Sequence, residues 1–177
     1  MSRRRRTAFE RCALASGLLE QEQLDEGWAA LSAAGGDAPQ VEASPTDEQL
    51  AEKLVELGRL NLWQSMQLLE GRSKFNLGPY WMIDSIGRGG MGQVFKAQHE
   101  MLGRVVAVKV LPQSKSTPTS IANFMREIQV LAKLDHPNLV RALDAGEDGN
   151  VYYLVTEYVP GTDLRKLIRR SGPLDME

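Results

Sequence analysis

The sequence predicts an α+β protein, a five-stranded antiparallel sheet with one main helix, preceded by an all-α N-terminal extension. Three observations predict it. Apolar residues recur at helical spacing through residues 8–72. Residues 80–111 then read as strand, glycine loop, strand, turn and strand. After one amphipathic helix, two more apolar segments flank Glu147-Asp148-Gly149-Asn150, a strong turn signal.

In chain order, residues 1–7 form a basic tail around Arg3-Arg4-Arg5-Arg6. Such a run suits a solvated, disordered tail, with contact to a membrane surface or nucleic acid as the alternative. Residues 8–33 carry Phe9, Leu14, Leu18, Leu19, Leu24, Trp28 and Leu31 at mixed three- and four-residue spacings. Gly17 interrupts them, so one long helix and two short ones both remain open. A Gly-, Ala- and Pro-rich linker covers about 34–45, and Thr46-Asp47-Glu48 reads as the start of the next helix.

A weak internal repeat runs through this extension. Gly17-Leu18-Leu19 with Gln23 resembles Gly58-Arg59-Leu60 with Gln64, at an offset of 41 residues. Two packed helical hairpins would bury Trp28 and Trp63. Two roles stay open for the extension: a regulatory or partner-binding module, or a stabilising layer on the domain that follows.

The second half, residues 79–177, is organised around residues 86–109. Gly87, Gly89, Gly92 and Val94 fit G-x-G-x-x-G-x-V. Dinucleotide-binding folds use the same glycine spacing but need a helix to open directly afterwards. Here β-branched and aromatic residues follow (Gln93-Val94-Phe95-Lys96-Ala97), and no G-K-[ST] is present to make a P-loop. In the next strand Val105, Ala107, Lys109 and Leu111 alternate with Val106, Val108 and Val110. A lysine amid apolar neighbours needs an anion, because an unpaired buried charge is costly. Its alternative is an edge-strand lysine with its head in water.

The helix Ile121–Leu134 carries an apolar stripe of Phe124, Ile128, Leu131 and Leu134, with Glu127 on it. A carboxylate on a packing face needs a cation, and Lys109 lies on the facing strand. The alternative is a solvated glutamate beside Arg126. His136-Pro137-Asn138 then ends the helix, since the residue before a proline resists helical geometry.

These residues resemble the eukaryotic-like serine/threonine protein kinases of bacteria. Residues 86–94 (Ile86, Gly87, Arg88, Gly89, Gly90, Met91, Gly92, Gln93, Val94) resemble the Gly-rich loop that covers ATP, and Val106-Ala107-Val108-Lys109 the strand bearing the phosphate-binding lysine. The resemblance makes Lys109 and Glu127 the catalytic pair, with Glu127 orienting Lys109, and places Ala107 against the nucleotide. Thr156-Glu157-Tyr158-Val159-Pro160-Gly161 resembles the hinge, with backbone groups of Glu157 and Val159 toward the adenine edge and Thr156 guarding the pocket behind it. Asp163 falls near the ribose, with the N-cap of the following helix as its competing role. ATP and protein substrates are the implied ligands. Magnesium is also implied, but the family's metal-binding residues match nothing in these 177 residues.

Composition excludes other classes. Residues 1–78 carry 9 basic against 12 acidic side chains, net −3, and residues 79–177 carry 12 against 11, net +1. Neither half has the basic field of a nucleic-acid binder. No apolar run reaches membrane-spanning length. Cys12 is the sole cysteine, which suits a reducing cytoplasm, and His99 and His136 stand apart from other ligand candidates, so no protein metal site is expected.

No H-R-D or D-F-G occurs in the sequence. The resemblance therefore implies the nucleotide-clamping part of a kinase domain, expected to be inactive by itself because the groups that position the hydroxyl and hold the metal are missing. An exposed apolar inner surface is expected to lower solubility or drive dimerisation. The competing class is a non-catalytic nucleotide-binding or scaffold protein acting through its helical region.

Overall fold

The computed structural model describes residues 6–34, 46–89 and 92–172. Arg3 to Arg5 of the basic tail, nearly all of the linker, and Gly90 and Met91 at the tip of the glycine loop lie outside the described residues.

The helical extension consists of α1 (Ala8–Ser16), α2 (Gln21–Ala34), α3 (Asp47–Glu56) and α4 (Leu62–Leu69). Thr7 opens α1 and Thr46 opens α3, each in a reciprocal capping box with Glu10 and Gln49 respectively. Gly17 and Gly58 follow the two helices at φ +73° and +68°, a left-handed turn that glycine adopts without a Cβ penalty. Gly17 thereby makes two short helices where one long one was equally open.

The 41-residue repeat is structural. After each left-handed glycine a buried leucine follows, Leu19 or Leu60, and then the next helix. Phe9, Ala13, Leu24, Leu50, Leu54 and Leu68 form the shared core. Gly27 holds α2 close to α3, because a Cβ there would lie 2.9 Å from Leu50 Cδ1. Trp28 and Trp63 are only partly buried, contrary to expectation. Gly27 lies at the α2–α3 contact, while Trp28 packs at the margin of the core and its indole donates a 2.8 Å hydrogen bond to Glu10 Oε1.

The sheet has six antiparallel strands in the order β1-β2-β3-β4-β6-β5. These are β1 (Asn76–Leu77), β2 (Tyr80–Arg88), β3 (Gln93–His99), β4 (Val105–Leu111), β5 (Ala142–Asp148) and β6 (Val151–Glu157). The sixth strand, absent from the sequence expectation, is β1, whose two residues are too short to show alternation. At the other edge Gly149 and Asn150 turn β5 into β6 with φ +57° and +64°, the positive pair a two-residue hairpin turn requires. β5 begins at Ala142. Arg141 ahead of it exchanges bonds with Glu157 through its own N–H (2.8 Å to Oε1) and carbonyl (3.1 Å from Glu157 N).

The two faces of β4 bury different partners. Val106, Val108 and Val110 pack with Tyr80, Met82, Tyr153 and Val155, and Trp63 of α4 packs against this cluster. Leu111 packs with Leu154 and with Phe124 of α5 (Pro118–Leu131). Thr117 caps α5 through Ser120 with Pro118 at its first turn, three residues ahead of the expected start at Ile121. Beyond Leu131 the bonds tighten, from Lys133 N to Val130 O and from Leu134 N to Leu131 O. A tighter turn therefore replaces the last expected residues of helix.

Candidate functional site

The glycine loop joins β2 to β3, and its mouth is closed by Gly89 N–H donating to Gly92 O at 2.8 Å. Its glycines have different causes. A Cβ on Gly92 would fall 2.0 Å from Val110 O, so close backbone approach requires glycine there. Gly89 has open space where its Cβ would be, with no described atom within 4 Å. Protein packing does not account for Gly89.

Strand pairing sets Val94 opposite Lys109, and Ala107 opposite Thr156, so these side chains share the sheet face toward α5. From α5, Glu127 reaches Lys109: the ammonium donates to both carboxylate oxygens, at 2.6 and 2.7 Å. Side-chain exposures of 27% for Lys109 and 31% for Glu127 place the pair at the wall of a cleft, neither in bulk water nor sealed. Lys109 Nζ also lies 6.0 Å from the Phe124 ring centroid, within reach of a cation–π contact. Gly87, Arg88, Gly89, Gly92, Val94, Lys109 and Glu127 together line this cleft.

A second cleft adjoins it through Ile86, the neighbour of Gly87. It is walled by Ser85 and Ile86 on one side and by Tyr158, Val159, Gly161 and Asp163 on the other. Gln93 braces the β2 side, donating from Nε2 to Ser85 Oγ at 2.8 Å. The Glu157 N–H is engaged by Arg141, and the Glu157 carbonyl accepts a long 3.3 Å bond from the Thr156 hydroxyl. Val159 is well exposed at the rim.

Asp163 caps α6 (Leu164–Ser171), with Oδ1 accepting from Lys166 N at 2.8 Å. That backbone bond, with the Lys166 charge assisting, holds its carboxyl below the usual range. The cap role is thus occupied, while the side chain still lines the cleft. Tyr158 and Lys166 also line it, and sequence reasoning singled out neither as a site residue. Its place between the hinge-like positions Glu157 and Val159 was the one signal the sequence offered for Tyr158, whose ring carries Lys96 Nζ 5.2 Å from its centroid.

The arrangement has the parts needed to hold a phosphorylated ligand. A hairpin with free space at Gly89 lies over a cation fixed by a carboxylate, and an adjoining cleft ends in exposed backbone. Among the described residues no cluster of three His, Cys, Asp or Glu could hold a metal ion.

Comparison with known proteins adds the following. Residues 80–177 match the family model described as protein kinase domain. Serine/threonine-protein kinase PrkC of Bacillus subtilis is 42% identical over 98 residues, 55% of this chain and 15% of the relative. Probable serine/threonine-protein kinase PknB of Lactococcus lactis is 41% identical over 97 residues, 54% of this chain and 16% of the relative. Serine/threonine-protein kinase pkn3 of Myxococcus xanthus is 42% identical over 93 residues, 51% of this chain and 17% of the relative. The chain thus spans about one sixth of the length of these relatives.

Proposed function

The chain belongs to the protein kinase family, and on that premise we propose that residues 80–177 are the ATP-binding part of a serine/threonine protein kinase. The observation that carries the reading is the Lys109–Glu127 pair beneath the glycine loop. Lys109 holds and neutralises the nucleotide phosphates, Glu127 fixes the lysine, and the glycine loop lies over the phosphates. Gly89 fits this, since the space beside it suits close approach of a phosphate. The cleft between Ile86 and Val159 takes the base and sugar, the Glu157 carbonyl and Val159 N–H facing the adenine edge.

ATP would supply the transferable phosphoryl group and magnesium the charge neutralisation, though among the described residues no cluster of three His, Cys, Asp or Glu could hold the ion. Residues 1–177 alone bind nucleotide without transferring phosphate, because no group here takes the proton from a hydroxyl nucleophile.

Titration of the 177-residue chain with a fluorescent ATP analogue, competed by ATP, tests the reading. Competable binding that weakens at least tenfold in Lys109→Ala supports it. Absence of binding to folded protein, or equal affinity in Lys109→Ala, overturns it.

A further inference from the structure

β2 is interrupted twice before the glycine loop. Met82 pairs with Ala97 and Asp84 with Lys96, so Ile83 is an extra residue with no partner on β3. Ser85 pairs with Phe95 and Gly87 with Val94, which leaves Ile86 unpaired in the same way. On its other side β2 pairs with β1 only through Tyr80 and Trp81. Met82 N–H still donates to Phe75 O at 2.7 Å on that side. Past Met82, then, the strand that leads into the loop is a sheet edge with two bulges, the kind of segment that slips or frays unless something covers it.

What covers it comes from the helical extension. Asn61, the N-cap of α4, donates from Nδ2 to the carbonyl of Ile83 at 2.7 Å. The same side chain is fixed by its own helix, since Oδ1 accepts from Gln64 N at 2.8 Å and Asn61 N donates to Gln64 Oε1 at 3.1 Å. Two residues on, Trp63 packs edge-on to Phe75 and against Phe95, each with ring centroids 5.6 Å apart. In the other direction Trp81 of β2 packs into the helical core beside Gly17.

The internal repeat supplies a control within the molecule. The position equivalent to Asn61 in the first hairpin, 41 residues earlier, is Glu20. Glu20 is exposed, and its N–H makes the same bond to Gln23 Oε1, at 2.8 Å. Helix initiation in this repeat therefore does not require an asparagine. Only the copy facing β2 has a side chain that caps with one atom and donates with another.

We propose that Asn61 is a positioning residue for the glycine loop: through the carbonyl of the bulge residue Ile83 it lets the helical extension set the register and order of the strand that carries the loop. This extends the nucleotide-binding reading and rests on it, because the consequence for function is the closure of that loop over phosphate. The path is short. The anchored residue precedes Ser85, which is tied to Gln93, and those two residues bracket the loop.

The test separates capping from positioning with Asn61→Ser and Asn61→Asp in the 177-residue chain. Both replacements keep an acceptor suited to an N-cap, and neither has an amide N–H for Ile83. Amide hydrogen exchange over residues 82–97 and affinity for the fluorescent ATP analogue are the readouts. Positioning predicts, in both variants, about fivefold or more faster exchange over residues 82–97 and about threefold or more weaker nucleotide binding, with α4 and the residues 105–111 unchanged. Wild-type exchange over residues 82–97 in either variant overturns the proposal, as does faster exchange spread equally through α4. The exchange readout needs no nucleotide. If Lys109→Ala leaves affinity unchanged, the nucleotide reading fails by itself; if Lys109→Ala weakens binding while both Asn61 variants bind like wild type, only the positioning role fails.

Discussion

Lys109 on β4 and Glu127 on α5, 18 residues apart in sequence, form a two-pronged ion pair at 2.6 and 2.7 Å on the wall of the cleft beneath the glycine loop. The pair also ties a helix to the sheet, so its loss is felt in stability as well as binding. Glu127→Gln keeps the side-chain volume and removes the charge. It should lower stability by about 1 kcal/mol, between the values of an exposed pair and a sealed one. Urea unfolding measures this, and a nucleotide titration of the same variant should show weaker binding.

The two glycines of the loop should separate cleanly. Gly92→Ala forces a Cβ against Val110 O and should cost about 1–3 kcal/mol in urea unfolding, by overpacking and backbone shift. Gly89→Ala meets no atom of the described residues and should leave the unfolding midpoint unchanged while weakening nucleotide binding. Equal effects of the two changes on stability would contradict the roles assigned to them.

Trp63 lies against both the helical core and the sheet cluster. Trp63→Ala should cost about 3–5 kcal/mol, as large-to-small changes at packed aromatics do. Thermal unfolding followed by circular dichroism should show one transition in the wild type and two in the variant, because the coupling between the cores is reduced. A single, unshifted transition would show that the extension and sheet are not coupled there.

Asp148, at the β5–β6 turn, ties down the chain on both sides of β1. It accepts from Lys74 Nζ at 2.9 Å and Gly78 N at 3.1 Å, and these bonds, Lys74 first, hold its carboxyl below the ordinary value of 3.8. A carboxyl depressed in the folded state stabilises above its unfolded-state value, and the contribution is lost as pH falls through the folded-state value. Asp148→Asn should therefore unfold at lower urea than wild type at neutral pH, and the two midpoints should converge as pH falls through the folded-state value of Asp148. A gap that persists undiminished in acid would point to packing, not charge.

Local patterns made much of this legible in the sequence. The glycine spacing, the lysine that follows Val106-Ala107-Val108 and the glutamate on the apolar stripe each show within a few residues, and the structure brings all three to one cleft. The turn at Gly149-Asn150 was visible for the same reason. What was hidden depends on partners far along the chain. Neither bulge in β2 can be seen without its pairing to β3, and Asn61 looks like any N-cap until Ile83, 22 residues later, folds against it. β1 has two residues and no alternation. The repeat was visible as spacing, but whether its tryptophans were buried depended on which residue took the helix contact, and Gly27 took it. Asp163 carried two competing signals, and local geometry favours the helix cap.

The most direct test of the central claim uses an acyl-phosphate derivative of ATP, which transfers its acyl group to an amine close to the bound phosphates, followed by mass spectrometry of the labelled peptides. Acylation concentrated on Lys109, suppressed by excess ATP and absent from unfolded protein, is the result the account predicts. Labelling spread over exposed lysines such as Lys74, Lys115 and Lys133, unaffected by ATP, would contradict the placement of the phosphates between the glycine loop and Lys109.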